Sequence, residues 1–164
     1  MSVVSLRKSR LSLAKNNRNV IKWYKEMGGL MRIVITGWAF QSYLDLKHKR
    51  VFSSKEYKTI IRPDAELLKT YDTARATKFK SSSFWGPFDY GNGQYVTDAF
   101  KMKWDSIGAG KVELRLGIII LGSTAYLCEA FTKNAIPPKR AALRMENQVD
   151  AIKLGKYISH GELK

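Results

Sequence analysis

The side chains that most often act as nucleophiles or metal ligands are few and widely separated in this sequence. Cys128 is the only cysteine, and neither His48 nor His160 has a second nitrogen or sulfur ligand near it in the chain. A single cysteine excludes an intramolecular disulfide framework and a four-cysteine zinc site. An isolated histidine does not predict a sequence-local metal site. These residues therefore predict no metal centre and no cysteine-based catalysis.

Two glycine-containing segments are partly similar to phosphate-binding loops. In Gly108-Ala109-Gly110-Lys111 the following residue is Val112 instead of Ser or Thr, and Asp105 stands at the position of the first glycine. Gly91-Asn92-Gly93 lacks the third glycine of a dinucleotide-binding turn. Neither segment predicts a nucleotide site, and we expect a non-catalytic protein.

The net charge narrows the class of partner. The 164 residues include 29 basic and 14 acidic side chains, which gives a net charge of +15. Such an excess is typical of proteins that bind RNA, an anionic membrane surface or acidic neighbours in an assembly. The hydrophobic content of 45% and the aromatic content of 12% exclude a wholly disordered chain.

The first 26 residues form a basic arm. Seven lysines and arginines precede Glu26, which is the first acidic residue. Basic, acid-poor and serine-containing N-termini are typical of mitochondrial transit peptides, and the alternative is a solvated basic helix. We expect an arm over residues 1–26 that is retained uncleaved.

Residues 114–131 are predicted to form a transmembrane helix. Glu129 is the only charge in Leu116–Ala130, and Lys133 lies four residues further on, where the two side chains could pair. Basic residues flank the apolar run and could reach lipid headgroups. Small and aromatic residues at helix-packing positions support close approach of a neighbouring helix: Gly117, Gly122, Ser123, Ala125 and Tyr126. The alternative is a fully buried helix, or a strand of a parallel sheet through Gly117–Leu121.

A second apolar segment precedes the polar middle of the chain. Met27–Leu44 has Arg32 as its only charge, and we expect a second membrane or interfacial helix over residues 28–45. A buried helix outside the membrane is the alternative.

The remaining segments are predicted to be helices and loops outside the bilayer. In the polar, loop-rich extension over residues 47–95, Pro63 begins a short helix, and Phe84–Gly93 forms a loop with aromatic anchors. Val96–Trp104 is predicted to form a basic amphipathic helix, and a glycine hinge is expected at residues 108–110. In the tail, residues 134–164, a helix is expected over Ala141–Leu154. The predicted fold is therefore mostly α, with the apolar segment spanning residues 27–46 and the main membrane unit spanning residues 96–133.

Basic residues before residue 116 are candidates for binding lipid headgroups. Lysines and arginines at a membrane surface attract anionic lipids such as cardiolipin, and tryptophan prefers the interface. The candidates are Lys101, Lys103, Trp104, Lys111 and Arg115. No cofactor is expected apart from bound phospholipid.

The order of several short motifs resembles subunit f of the mitochondrial ATP synthase. Gly86-Pro87 is followed after twelve residues by Phe100-Lys101-Met102-Lys103-Trp104, then by Gly108-Ala109-Gly110-Lys111 and Leu116-Gly117-Ile118-Ile119. The resemblance spans residues 84–133. The regions before and after it are extensions relative to that family.

This resemblance implies a structural subunit of the proton-transporting FO sector in the mitochondrial inner membrane. Its partners would be subunit a, the peripheral-stalk subunit b, other small membrane subunits and the lipid bilayer, without nucleic acid. The family supports ATP synthesis, dimer assembly and the shape of cristae. The alternatives are an accessory subunit of another respiratory complex, or a basic mitochondrial ribosomal protein that binds RNA. The apolar run Leu116–Ala130 argues against RNA binding, because an RNA-binding protein would gain nothing from exposing this apolar surface.

Overall fold

The computed structural model describes residues 29–164, and its central element is a six-stranded mixed sheet. The strands in chain order are β1 (Arg32–Thr36), β2 (Trp85–Asp89), β3 (Tyr95–Ile107), β4 (Val112–Leu121), β5 (Thr124–Thr132) and β6 (Ser159–Glu162). Their spatial order is β2-β3-β4-β5-β1-β6. β1 is parallel to β5, and the other neighbouring strands are antiparallel.

Helical elements cover both faces of this sheet. α1 (Gly37–His48) follows β1 directly. A helical segment then runs through α2 (Ser54–Glu56), a π-helical turn (Tyr57–Ile61), α3 (Arg62–Glu66) and a 3-10 turn (Leu67–Thr70). A further 3-10 turn (Thr77–Lys80) precedes β2, and α4 (Pro138–Lys153) follows β5. α1 and the helical segment pack on one face of the sheet, and α4 packs on the other.

Each face carries its own hydrophobic core. On the face of α1 the core contains buried aliphatic and aromatic side chains from sheet and helices, among them Ile33, Leu68, Met102, Leu114 and Ile118. On the face of α4 the core contains Ala99, Ile119, Cys128, Ala142 and Met145. We refer to these as the α1 face and the α4 face of the sheet.

The predicted mostly α membrane fold is wrong. Residues 114–131, the expected transmembrane helix, lie in the hairpin of β4 and β5, which pair from Leu121↔Thr124 to Leu114↔Thr132. The β-branched side chains of Ile118–Ile120 favour a strand. Their run is continuously apolar because helices cover both faces of the sheet, so that successive side chains are buried on opposite sides. The alternative of a strand through Gly117–Leu121 is correct, but the expected parallel pairing is wrong, because β4 is antiparallel to both β3 and β5.

The second expected membrane or interfacial helix, over residues 28–45, is also wrong. Arg32–Thr36 form β1, and α1 begins only after Thr36. The Thr36 hydroxyl accepts a hydrogen bond from the amide of Ala39 (3.3 Å) and donates one to the Leu127 carbonyl (2.7 Å), which marks the end of the strand and the start of the helix. Across residues 29–164, each helix is too short or too polar to cross a bilayer.

The predicted amphipathic helix Val96–Trp104 is part of strand β3. Lys101 and Lys103 alternate with Met102 and Trp104, and an alternation of period two belongs to a strand with one buried face. The glycine hinge at residues 108–110 is the hairpin turn between β3 and β4. Part of the expected loop, Trp85–Asp89, forms the edge strand β2.

Two helix predictions in the polar regions are confirmed. Pro63 lies in the first turn of α3, followed by Asp64. The tail helix is α4, which extends three residues further towards the N-terminus than expected, because Pro138 opens it at a position where a missing N–H costs no helical hydrogen bond. The basic arm, residues 1–26, lies outside the described residues.

Candidate functional site

Three of the predicted headgroup-binding residues lie together on the α4 face of the sheet. Lys101 and Lys103 are on β3, and Arg115 on β4 is directly opposite Lys103 in the register. Side chains that face each other across antiparallel strands have Cβ atoms about 4.5–5.5 Å apart. Lys101 is opposite Gly117, which adds no side chain. The three cations therefore converge at the end of the sheet near the start of α4.

Lys133 adds a fourth cation through a shared carboxylate. Glu113 accepts from Arg115 (Nη2 to Oε1, 2.7 Å) and from Lys133 (Nζ to Oε2, 2.9 Å). Burial alone would raise the pKa of Glu113, but the hydrogen bonds from Lys133 and Arg115 outweigh it and lower that pKa. We call Lys101, Lys103, Arg115 and Lys133 the basic cluster.

Asp89 on the edge strand β2 positions Lys101. The ammonium of Lys101 donates to the Asp89 carboxylate and lies over the Phe88 ring, 5.3 Å from its centroid. Burial opposes ionisation of Asp89, yet the hydrogen bond and charge of Lys101 lower its pKa overall. The Lys101 side chain is only 12% exposed, so its charge is set into the surface. The basic cluster holds four cations against the two carboxylates of Asp89 and Glu113 and keeps a positive balance.

Lys103 lies partly buried beside two other cations of the cluster. Its ammonium donates to the Ser82 carbonyl. Burial lowers the pKa of Lys103, and the positive charges of Lys101 and Arg115 lower it further. The approach of an anion stabilises a lysine that is held among like charges, because the anion relieves the repulsion between them. Groups with such shifts in a cleft are candidates for functional sites.

A groove of about 380 Å³ runs along the β2 side of the basic cluster. Lys101 and Lys103 lie on one wall, and glycines of the β2–β3 turn leave the other wall open. Tyr95 lines this groove with 61% of its surface exposed. An exposed aromatic ring beside lysines offers a flat stacking surface within a positively charged groove.

A smaller recess lies on the other side of Lys101. It has a volume of about 60 Å³ and lies between Lys101, Arg115, the Phe131 ring and the first turn of α4 at Pro138. α4 is sixteen residues long, and the positive end of its dipole adds to the field of the basic cluster. The recess and the groove adjoin each other at Lys101 and Asp89, which line both.

The other two headgroup candidates lie elsewhere. Trp104 is buried on the α1 face, where its indole N–H donates to Asp64 (2.7 Å), and this carboxylate also accepts from Lys78. Lys111 lies in the turn between β3 and β4, with a φ of 46°, four residues before Arg115. The structure therefore brings together three of the five predicted residues.

The predicted helix-packing residues do not form one stripe. A Cβ on Gly117 would lie 2.6 Å from the Met145 side chain, so this glycine lets α4 pack closely on the sheet. Gly122 and Ser123 form the turn between β4 and β5. Ala125 is buried on the α1 face, and the Tyr126 ring meets Tyr157 edge-on, with centroids 5.6 Å apart. These five residues therefore lie in strands and turns of the sheet and do not form the contact surface of a helix pair.

The isolated reactive side chains are not part of the site. Burial raises the pKa of the Cys128 thiol, which lies in the core on β5. Glu129 pairs with Arg144 of α4 at 3.0 Å, and Lys133, its expected partner, pairs with Glu113. Within residues 29–164, no three His, Cys, Asp or Glu side chains are grouped so as to hold a metal ion.

Two residues of the site escaped prediction from the sequence. Asp89 and Glu113 belong to β2 and β4, and only strand pairing brings them to the lysines. Lys133, predicted as a basic flank of the apolar run, lies directly after β5 and joins the site through Glu113. The signal was the alternation of basic and apolar residues in Phe100–Trp104 and in Glu113–Leu116, which indicates strands with one charged face.

Comparisons with protein-family models, with curated proteins and with solved structures gave no match to this chain. The resemblance to subunit f, the location in the mitochondrial inner membrane and the expected partners stay predictions.

Proposed function

We propose that this protein binds single-stranded RNA through the basic cluster and the adjoining groove. The observation that carries the proposal is the convergence of Lys101, Lys103 and Arg115 on one partly exposed sheet face, beside the exposed ring of Tyr95. Phosphates would contact the cations, and a base would stack on the tyrosine. RNA exposes its bases in single-stranded segments, where aromatic side chains can stack on them.

The buried hairpin removes the main objection to RNA binding. The apolar run Leu116–Ala130 lies mainly in the two cores of the sheet and needs no membrane to cover it. The net charge of +15 then remains to be explained, and phosphate neutralisation by lysine and arginine supplies sequence-independent affinity for nucleic acids. A lipid surface is less suited to the site, because membrane-binding faces combine cations with protruding apolar side chains, and two cations of the cluster are instead partly buried in recesses.

Fluorescence anisotropy with a labelled ten-nucleotide RNA tests the proposal. The variant K101Q/K103Q/R115Q should bind at least about tenfold more weakly than the wild type, since each lost phosphate contact removes an electrostatic contribution. The matched control is K49Q/K55Q/K58Q, which changes three exposed lysines near α1 and α2 by the same total charge. Equal losses in the two variants would show that affinity follows net charge alone and would contradict the assigned site.

A further inference from the structure

A cavity on the α1 face is independent of the basic cluster. It has a volume of about 350 Å³ and lies between the sheet, α1 and the helical segment. Its walls are mostly buried apolar side chains, among them Ala39, Leu46, Phe52, Leu116 and Leu127. The basic cluster is on the opposite face of the same sheet.

The size and the walls of this cavity are those of a binding site. Protein interiors are packed as densely as organic crystals, and voids much larger than a water molecule are rare. Side chains around an empty apolar space lose dispersion contacts. Pockets for small ligands have volumes of about 300–1,000 Å³ and mainly apolar walls with a few polar groups. An apolar occupant would restore the missing contacts.

The polar groups of the cavity lie at its opening and include two basic side chains. Phe40, Arg62 and His160 are the lining residues that are exposed to solvent. The Arg62 guanidinium donates to Glu66 (Nε, 3.0 Å) and to the Lys164 carbonyl (Nη2, 3.3 Å), which hold it in place. These bonds use two of its five N–H donors.

The other basic side chain, His160, stacks on Phe40 with ring centroids 4.3 Å apart. The lining residues include no carboxylate. An apolar chamber with an arginine and a histidine at its opening complements a ligand that has an apolar body and one anionic end.

We propose that this cavity binds a small amphipathic carboxylate, such as a medium-chain fatty acid, with its chain among the buried side chains and its carboxylate at Arg62 and His160. The remaining N–H donors of Arg62 can bind a carboxylate, whereas an ammonium group is itself a donor and would find no acceptor there. The two other conceivable occupants, residues 1–28 of this chain and a second copy of the protein, become outcomes of the experiment.

Isothermal titration calorimetry of the full chain with decanoate tests the proposal. We expect saturable binding of one decanoate per chain, and NMR cross-relaxation from its methylene protons to the methyl groups of Ala39 and Leu127. R62Q should weaken decanoate about tenfold and leave decanol unchanged, because only the carboxylate uses the arginine. A39F should abolish both, because the larger side chain fills the cavity.

The basic cluster provides the control for non-specific attraction of anions. K101Q/K103Q/R115Q should bind decanoate like the wild type, because these residues lie on the opposite face of the sheet. Equal weakening in this variant and in R62Q overturns the proposal. So does the absence of saturable binding to the wild type, including the case in which the Ala39 and Leu127 methyl groups show contacts to residues 1–28 or to a second copy. If A39F fails to fold, the NMR contacts between decanoate and the wild-type methyl groups of Ala39 and Leu127 test whether the ligand lies in the cavity.

Discussion

Lys103 is the residue whose surroundings say most about the site. It lies beside Lys101 and opposite Arg115, and burial together with these two charges lowers its pKa. Such an arrangement costs stability in the free protein unless an anion compensates the repulsion. At the scale of single residues, this crowding of cations, which Asp89 and Glu113 compensate only in part, supports the proposal that the basic cluster binds phosphate.

The lowered pKa of Lys103 predicts how RNA binding depends on pH. Its ammonium loses the proton at a lower pH than an ordinary lysine with a pKa of 10.5, so RNA affinity should begin to fall at a correspondingly lower pH. K103R should flatten this fall, because arginine stays charged throughout. Fluorescence anisotropy with a 2′-O-methyl oligoadenylate measures the RNA affinity at each pH, because this oligonucleotide resists hydrolysis in alkaline solution. K58R should keep the wild-type profile, and an unchanged profile in K103R would contradict the assignment.

Glu113 predicts a pH-dependent contribution to stability. Its pKa is lowered from 4.5, so its ion pairs stabilise the folded state above about pH 4.5 and lose this effect as the pH falls through the folded-state value. E113Q should lower the free energy of unfolding by about 1 kcal/mol at pH 7, with a smaller difference at pH 3.5. Urea denaturation at the two pH values measures both differences.

The control for Glu113 is a carboxylate outside these ion pairs. Asp105 is exposed at the end of β3, and D105N should change the stability by less than about 0.5 kcal/mol. If the loss in E113Q were the same at both pH values, the side chain would act through packing and the electrostatic explanation would be wrong.

At the scale of elements, the turns determine where the strands meet. Gly108 in the β3–β4 turn has a φ of +72°, and a Cβ there would lie 2.0 Å from the Val51 carbonyl oxygen. The amide of Gly108 also donates to Glu56, the residue that completes the capping box of α2. This turn therefore holds the hairpin against the helical segment and fixes the register that brings Lys103 opposite Arg115.

Substitution of two glycines separates strain from steric clash. Gly93 has a φ of +82° with no atom within 4 Å of a built Cβ, so G93A should cost about 1–2 kcal/mol from the left-handed conformation alone. G108A should cost several kcal/mol more, because the Val51 backbone cannot move aside as a flexible side chain could. Urea denaturation of both variants measures the difference. Equal costs would show that the Gly108 turn does not contact Val51 in solution.

Part of the fold could be predicted from local sequence signals. Pro63 and the composition of residues 141–154 located two helices, because helix starts and amphipathic spacing are local properties. The hairpin of β4 and β5 was not predictable in the same way, since a short apolar run fits a buried strand as well as a helix. Lys101, Lys103 and Arg115 were predicted as candidates for binding lipid headgroups, but their convergence depends on strand register.

At the scale of the whole molecule, the sheet separates two surfaces of different chemistry. The α4 face ends in the basic cluster and the groove that holds Tyr95, and the α1 face encloses the apolar cavity. The net charge of +15 applies to the whole chain, yet among residues 29–164 only the cluster and its groove combine converging cations, a lowered lysine pKa and an exposed aromatic ring. If RNA binding is local to the cluster, its dependence on salt must follow these residues and not the total charge.

The slope of RNA affinity against salt concentration tests the central claim most directly. For single-stranded RNA, the logarithm of the binding constant falls with log salt by about 0.7 per phosphate contact. The binding constants are measured between about 50 and 300 mM KCl, roughly the range over which such slopes are resolved. The magnitude of the slope for K101Q/K103Q/R115Q should be smaller than that of the wild type by about 2, since three phosphate contacts are lost. K49Q/K55Q/K58Q should keep the wild-type slope. The same slope for all three proteins, or the same reduction in both variants, would contradict a phosphate-binding site at the basic cluster.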